Sequence, residues 1–214
     1  MLIKNYQGLF DKSLCEGCIG TGSDGDITGN LQDAKKVITG CGTQMWGTED
    51  SFFFAIQHKL DTNSYLADRF EIEMYTKDGL GTSSSLSDAK FGLHIRSGLD
   101  KSSNHFSILL SPEKGVHSYV RGMNDGKITD SLHGDDTVRG GGWLKIERNG
   151  DQFRAYYRSS DTKKFYKVMS EATIKNMDKG VYVGIALFSS SADTCTTATF
   201  EQFSMKVSEW QCSY

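Results

Sequence analysis

The segment Gly142–Arg158 reads Gly-Trp-Leu-Lys-Ile-Glu-Arg-Asn-Gly-Asp-Gln-Phe-Arg-Ala-Tyr-Tyr-Arg. Every second position from Phe153 to Tyr157 carries an apolar or aromatic residue, which is the two-residue period of a strand with one buried face. Between the two halves, Asn149 and Gly150 tolerate the positive φ that a tight turn requires. The segment therefore predicts a β-hairpin with strands at 143–148 and 152–158.

The same alternation recurs along the chain, for example at Phe70–Met74 and Phe91–Ile95, and Gly, Asn, Asp and Ser clusters separate the runs. Val181–Phe188 is apolar on both faces, which predicts a central strand. The best helical pattern, Ser170–Met177, covers only about two turns. We therefore predict an all-β, antiparallel sandwich or barrel with little helix and about 11 strands: 35–40, 51–58, 65–76, 89–97, 105–111, 116–121, 143–148, 152–158, 164–169, 181–188 and 197–207.

Composition limits the function classes. The 214 residues, 37% of them hydrophobic, suffice for one large domain and exclude a disordered chain. A net charge of −3 argues against a nucleic-acid partner, and no apolar run is long enough to predict a membrane span. The N-terminus shows no signal-peptide pattern, so an extracellular protein would be present here in a mature or trimmed form.

Several segments carry a family resemblance. They are 40–54 (Gly-Cys-Gly-Thr-Gln-Met-Trp-Gly-Thr-Glu-Asp-Ser-Phe-Phe-Phe), 89–97 (Ala-Lys-Phe-Gly-Leu-His-Ile-Arg-Ser), the hairpin above, and 181–190 followed by 197–203. Together they resemble, in the right order, the small concanavalin A-like (lectin/glucanase-type) modules of secreted carbohydrate-active and adhesion proteins. The resemblance implies a single antiparallel β-sandwich of jelly-roll type at 24–207. It leaves 1–23 as a Cys-containing N-terminal tail packing on the domain, and 208–214 as a C-terminal tail.

Basic and aromatic residues on the non-core sides of the strands form a candidate binding face. Sugar recognition uses aromatic surfaces together with fork-like hydrogen-bond donors, and an excess of cations favours anionic polysaccharides. We therefore expect a non-catalytic module that binds carbohydrate or an extracellular protein partner. Its candidate residues are His94, Arg96, Tyr119, Arg121, Trp143, Lys145, Arg154, Tyr156 and Arg158.

Two other classes of function remain open, a polysaccharide-active enzyme and a structural subunit. Glu71 and Glu73 share one face of a strand, and paired carboxylates are the catalytic groups of retaining glycosidases, although a third acid is missing from the motif. A lyase could instead use the His, Tyr and Arg groups of the candidate face. The second alternative class is a structural subunit of an extracellular assembly.

Asp24 and Asp26 begin a segment with oxygen donors at alternate positions. Position twelve of this loop is Lys35, where an EF-hand needs a bidentate Glu, so an EF-hand is excluded. A structural calcium ion is the remaining expectation, beside a plain Asx turn, and no other cofactor is expected.

The chain contains five cysteines, at 15, 18, 41, 195 and 212. The resemblance implies adjacent chain ends, which would let Cys212 pair with Cys15 or Cys18. Cys41 and Cys195 flank strands in the outer parts of the family pattern, so they could form another bridge. The odd cysteine would be free or would link two chains in self-association. Because disulfides persist in oxidising compartments, the expected location is extracellular or secretory, with the cytoplasm as the alternative.

Overall fold

A computed structural model describes residues 2–7, 17–19, 25–28, 35–45, 47–60, 68–80, 88–122, 128–129, 134–160, 166–175, 177 and 180–209. These residues form seventeen strands and no α-helix. The strands are β1 (Leu2–Gln7), β2 (Gly17–Ile19), β3 (Gly25–Thr28), β4 (Lys36–Gly42), β5 (Phe52–Leu60), β6 (Arg69–Thr76), β7 (Lys90–Arg96), β8 (His105–Ser111), β9 (Gly115–Arg121), β10 (Ile128–Thr129), β11 (Gly134–Asp135), β12 (Gly142–Asn149), β13 (Gln152–Ser159), β14 (Lys167–Thr173), β15 (Val181–Phe188), β16 (Ser191–Phe200) and β17 (Gln202–Glu209).

The strands pair antiparallel in three sheets. The six-stranded sheet has the order β1-β17-β6-β12-β13-β14, and the three-stranded sheet has the order β16-β4-β3. The eight-stranded sheet has the order β10-β9-β8-β7-β15-β5-β2, with β11 also paired to β9. The predicted all-β sandwich is therefore confirmed, and β15 is central because it lies between β7 and β5.

The main core lies between the six- and eight-stranded sheets. Phe91, Leu93 and Ile95 are fully buried there, in one cluster with Ile72 and Ile146 from the opposite sheet. Their side chains meet because alternate positions on each strand point inward. The inward faces predicted from the alternation are confirmed.

The predicted hairpin is β12–β13. Asn149 lies opposite Gln152, so Gly150 and Asp151 form the turn, and Gly150 takes a φ of 63°. Position 42 at the end of β4 also requires glycine. Its φ is 138°, and a Cβ there would come within 2.3 Å of the Ser51 carbonyl oxygen. The glycine at position 42 of the sequence motif thus allows the chain to pass close to the next strand.

Two details differ from the predictions. The segment 197–207 is two strands, because β16 pairs with β4 whereas β17 pairs with β6, and the chain crosses between sheets at Glu201. Ser170–Thr173 belong to β14 rather than to a helix, because pairing with β13 outweighs a weak local preference. With β1 and β3 added, fourteen strands have four or more residues, against the predicted 11.

Segment 1–23 contributes to both large sheets. Leu2–Gln7 pair with Ser204–Glu209, which places the two ends of the described chain side by side. Gly17–Ile19 pair with β5 at the edge of the eight-stranded sheet.

Candidate functional site

The outer face of the six-stranded sheet carries three rows of side chains, which run across the strands. The register of β6, β12 and β13 defines them, since residues opposite one another lie side by side on one face. We name them the aromatic row (Tyr75, Trp143, Arg158), the middle row (Glu73, Lys145, Tyr156) and the charged row (Glu71, Glu147, Arg154).

In the aromatic row, the rings of Tyr75 and Trp143 are 4.8 Å apart between centroids and tilted by 33°. The guanidinium carbon of Arg158 lies 4.8 Å from the Trp143 ring centroid and 4.9 Å from that of Tyr166. These are distances at which a cation is attracted to an aromatic face. The four side chains thus form one continuous stack, and each residue is half-buried.

The middle row is held by tyrosine–carboxylate hydrogen bonds. Tyr156 donates to Glu147 over 2.5 Å, and Tyr166 donates to Glu73. Burial, and then the hydrogen bond to Glu147, raise the pKa of Tyr156 to about 12. Burial and the bond to Glu73 likewise raise the pKa of Tyr166. Both hydroxyls therefore remain protonated donors at neutral pH.

Lys145 joins the middle and charged rows. Its Nζ lies 2.6 Å from Glu147 Oε1 and 4.4 Å from the Tyr156 ring centroid. Burial acts to raise the pKa of Glu147, but the hydrogen bonds from Lys145 and Tyr156 outweigh burial and lower that pKa. Glu147 is therefore ionised at neutral pH.

Cations and carboxylates are equal in number within the three rows and the residues paired with them, which corrects the expected excess of cations there. Arg154 contacts Glu171 at 3.0 Å, and Lys206 contacts Glu71 at 2.6 Å. The predicted excess arose because the sequence pattern did not show which acids face which bases. In the three rows and their paired neighbours, the four cations are Lys145, Arg154, Arg158 and Lys206, and the four carboxylates are Glu71, Glu73, Glu147 and Glu171. Arg69, the next outward residue of β6, lies beyond these rows and donates to Asn149.

Glu71 and Glu73, the acids considered for catalysis, both lie on this face as the strand parity predicted. Each is engaged by a neighbour, Glu71 by Lys206 and Glu73 by Tyr166. The two carboxylates thus bind different partners on an outer sheet face.

The other four predicted binding residues lie on a different sheet. His94, Arg96, Tyr119 and Arg121 are on β7 and β9 of the eight-stranded sheet, and all four are buried. The structure therefore does not bring the nine predicted residues together. It divides them into a buried group of four and an outer group of five, the latter being Trp143, Lys145, Arg154, Tyr156 and Arg158.

Arg96 and Arg121 converge on Asp50. Arg121 donates to both Asp50 oxygens, at 2.7 and 2.5 Å, and Arg96 donates to one of them at 3.3 Å. Arg96 also donates to the carbonyl oxygens of Gly98 and Asp100. Burial lowers the pKa of Arg96 to about 10, so it remains charged at neutral pH. Asp50 and Arg96 of the family-like motifs therefore hold loops at one end of the sheet.

The expected calcium site is only partly described. Asp24 lies outside the described residues, and Asp26 is exposed, with its Oδ1 accepting a hydrogen bond from the Ile27 backbone N–H at 2.7 Å. Among the described residues, no three His, Cys, Asp or Glu side chains group as metal ligands. A calcium ion at Asp24 and Asp26 stays a prediction.

One predicted disulfide is present. Cys41 on β4 is bonded to Cys195 on β16. Cys15, Cys212 and the side chain of Cys18 lie outside the described residues, so the second predicted bridge stays a prediction. The described residues contain no helix that is long and apolar enough to cross a membrane.

The sequence reasoning missed two aromatic members of the outer site, and it also missed the charged residues Glu147, Glu171 and Lys206. Tyr75 continues the outward parity of Glu71 and Glu73, so the alternation at Phe70–Met74 contained the signal for its position. Tyr166 follows a gap in the described residues and contacts Arg158 and Lys145. No spacing rule predicts this contact, because Tyr166 precedes its strand.

Comparison with solved structures identifies the fold. The chain is similar to arcelin-5, a lectin-like defense protein from Phaseolus vulgaris, with 14% identity and a TM-score of 0.58 over 97% of this chain and 99% of that one. It is also similar to the exoplasmic/lumenal domain of VIP36 in its Ca2+/Man-bound form, with 13% identity and a TM-score of 0.50 over 90% and 84%.

A third similarity is to a mutant of the GH43 protein BlXynB from Bacillus licheniformis, with 12% identity and a TM-score of 0.54. It covers 86% of this chain but 38% of that one, so the chain spans little more than a third of that protein. No protein-family description and no curated protein matches the chain. The protein has a concanavalin A-like β-sandwich fold, one that lectins and GH43 proteins share.

Proposed function

We propose that the protein is a non-catalytic binding module that recognises carbohydrate through the aromatic and middle rows of the six-stranded sheet. The main support for this proposal is the half-buried stack of Tyr75, Trp143 and Arg158. It offers an apolar surface to a sugar ring. Charged and hydroxyl groups beside it offer hydrogen bonds to sugar hydroxyls.

The fold adds a supporting argument. Arcelin-5 is described as lectin-like, and the VIP36 domain was solved bound to Man. Both share this fold at low identity, so they support the class of ligand and not the place where it binds. Only the residues of the rows support this place of binding.

The ion pairs within the rows favour neutral glycans over anionic ones. Lys145, Arg154 and Lys206 are each paired with a carboxylate. A uronate or sulfate group would have to compete with those partners. We therefore expect binding to change little as salt rises, because screening acts on unbalanced charge.

The test is a binding screen of the purified chain on a glycan array that holds neutral, uronate-containing and sulfated polymers. Trp143→Ala and Arg158→Ala should each weaken binding to the recognised glycan about tenfold, equivalent to ~1.4 kcal/mol. Arg154→Ala is the matched control, since it removes the same group from the same strand but from the charged row. Circular dichroism checks that each variant is folded.

The outcomes separate the alternatives. Equal loss in all three variants, or no loss in any, would contradict binding at the aromatic row. Retention on anionic polymers alone, abolished by salt, would restore the anionic ligand. Release of reducing sugar that stops in Glu71→Gln or Glu73→Gln would establish the polysaccharide-active enzyme instead.

We further propose that the protein works in the secretory pathway or outside the cell, on the support of the Cys41–Cys195 disulfide. Such bonds are rare in reducing compartments. The carbohydrate partner proposed here would also be met there.

A further inference from the structure

Two histidines are fully buried on the face of the eight-stranded sheet that points away from the main core. His94 on β7 and His105 on β8 have ring centroids 5.0 Å apart. Phe52 and Phe54 lie edge-on against His94, at 5.0 and 5.1 Å. No ring nitrogen of either histidine is in hydrogen-bond geometry with a described residue, although the Met45 backbone interacts with His105. Buried polar atoms are normally paired, so this pair is unusual.

The charges around the pair are predominantly positive. His105 lies directly between Arg96 on β7 and Arg121 on β9. Asp50 supplies one carboxylate, which both arginines already bind, so these three groups sum to +1. The other titratable side chains of the described strands on this face are Lys90 on β7, His117 and Tyr119 on β9, and Tyr182 on β15. The Asp100 carboxylate also interacts electrostatically with Arg96.

The 43–51 loop, of which residues 43–45 and 47–51 are described, packs over this charged cluster through those residues. It supplies Asp50, the Gly47 carbonyl oxygen that accepts from Arg121 at 3.3 Å, and the buried side chain of Met45. β7 and β8, in contrast, are each paired with strands on both sides. The loop is therefore the part that can lift without breaking a sheet ladder.

We propose that the His94–His105 pair is an acid-sensitive latch: protonation releases the 43–51 loop and exposes the aromatic cluster beneath it. An added proton raises the local charge from +1 to +2, with no unpaired carboxylate described beside it. Water must then reach the imidazolium, and lifting the loop admits water. The surface exposed would contain Phe52, Phe54 and Phe188. This device acts on the opposite sheet from the proposed glycan site and does not depend on it.

The direction of the pH effect follows from linkage. Burial is the main cause that lowers the pKa of both histidines in the closed state. His105, Arg96 and Arg121 lower the pKa of His94 further, and Arg121 and Arg96 do the same for His105. In the open state each has its ordinary pKa of about 6.5. The closed state is therefore favoured above that pH. Below it, the ratio of open to closed molecules rises up to about tenfold per pH unit for one histidine and up to about a hundredfold for both.

The test compares hydrogen exchange of the whole chain at pH 7 and pH 5, corrected for intrinsic rates. We expect faster exchange of the described 43–51 amides at pH 5, unchanged protection in β7 and β8, and increased fluorescence of an added apolar dye. His94→Phe keeps a ring in the same site and should reduce the pH response from two protons to one. His117→Gln is the control, because His117 is paired with the exposed Asp136 and should leave the response unchanged.

Histidine NMR titration of the unmodified protein keeps the proposal testable if His94→Phe does not fold. Two imidazoles that stay neutral until the loop opens support the latch. The latch is overturned if both titrate near 6.5 while the loop stays protected. It is also overturned if β7 and β8 lose protection together with the loop, or if a folded His94→Phe protein responds as the unmodified protein does.

Discussion

At Leu93, one aliphatic side chain of β7 is fully buried between the two large sheets. Leu93→Ala should lower the free energy of unfolding by ~2–5 kcal/mol, because it removes buried apolar area and leaves a cavity. Chemical denaturation measures the change. Leu99→Ala is the control, since Leu99 is 44% exposed, and should shift stability by less than ~0.5 kcal/mol. Equal effects of the two substitutions would mean that β7 does not face the core.

Another lesson at this scale concerns Arg158. Sequence alone gives a basic residue on an outward position, one of several such residues. Its role in the site depends on Trp143 and Tyr166, whose ring centroids lie 4.8 and 4.9 Å from the Arg158 guanidinium carbon. Arg154, four positions earlier on the same strand, contacts Glu171 instead. Two identical residue types thus differ in chemistry because of their cross-strand neighbours.

At the scale of elements, Asp50 connects the 43–51 loop to β7 and β9. Asp50→Asn should lower the free energy of unfolding by ~3–5 kcal/mol, because it leaves two buried arginines without a counter-charge. Asp78→Asn provides the comparison: Asp78 pairs with Lys35 at 2.9 Å, but both are largely exposed. We expect little change there, since water solvates the remaining lysine.

Thermal unfolding of both variants checks this difference. An Asp50→Asn protein as stable as the Asp78→Asn protein would show that the arginines are solvated rather than clamped. The contacts between these elements also explain the motif at 40–54. Gly42 permits the close approach of β4 to Ser51, and Asp50 then anchors the loop between them.

At the scale of the whole molecule, the Cys41–Cys195 disulfide ties together residues 154 positions apart. Replacing both cysteines by serine should destabilise the protein by roughly 5 kcal/mol in the loop-closure model, because the unfolded chain regains entropy. Denaturation of the oxidised protein against the double-serine variant measures this. The matched control is the unmodified protein under reducing conditions, which should lose about the same stability.

Mass spectrometry of the digested, unreduced protein tests the covalent structure directly. It should contain a Cys41–Cys195 peptide pair, and free thiols at both positions in protein from its native source would contradict the oxidising location. The same digest tests whether Cys212 is joined to Cys15 or Cys18. The pairing of β1 with β17 brings the two ends of the described chain together, which such a bridge requires.

Most of the strand positions could be read from the sequence, and so could the inward faces of β6, β7 and β13. These features are local, because the two-residue period of apolar and polar side chains is visible in consecutive residues of one strand. The predicted Cys41–Cys195 bond came from a family resemblance, and the β16–β4 pairing supplies its structural basis. The strand count was low partly because β1 and β3 were not predicted. It was also low because 197–207 changes sheets at Glu201, and a change of sheet does not interrupt the alternation of side chains.

The sequence by itself determined the fold class and which side of β6, β7 and β13 faces the main core. Only the tertiary structure decided which outward residues share a surface. Outward positions of β7 and β12 look alike in a linear pattern, yet His94 is buried on one sheet and Trp143 lies half-buried on another. The physical reason is that side-chain alternation fixes a residue's direction relative to its own strand. The assignment of strands to sheets depends on hydrogen bonds between residues far apart in the chain.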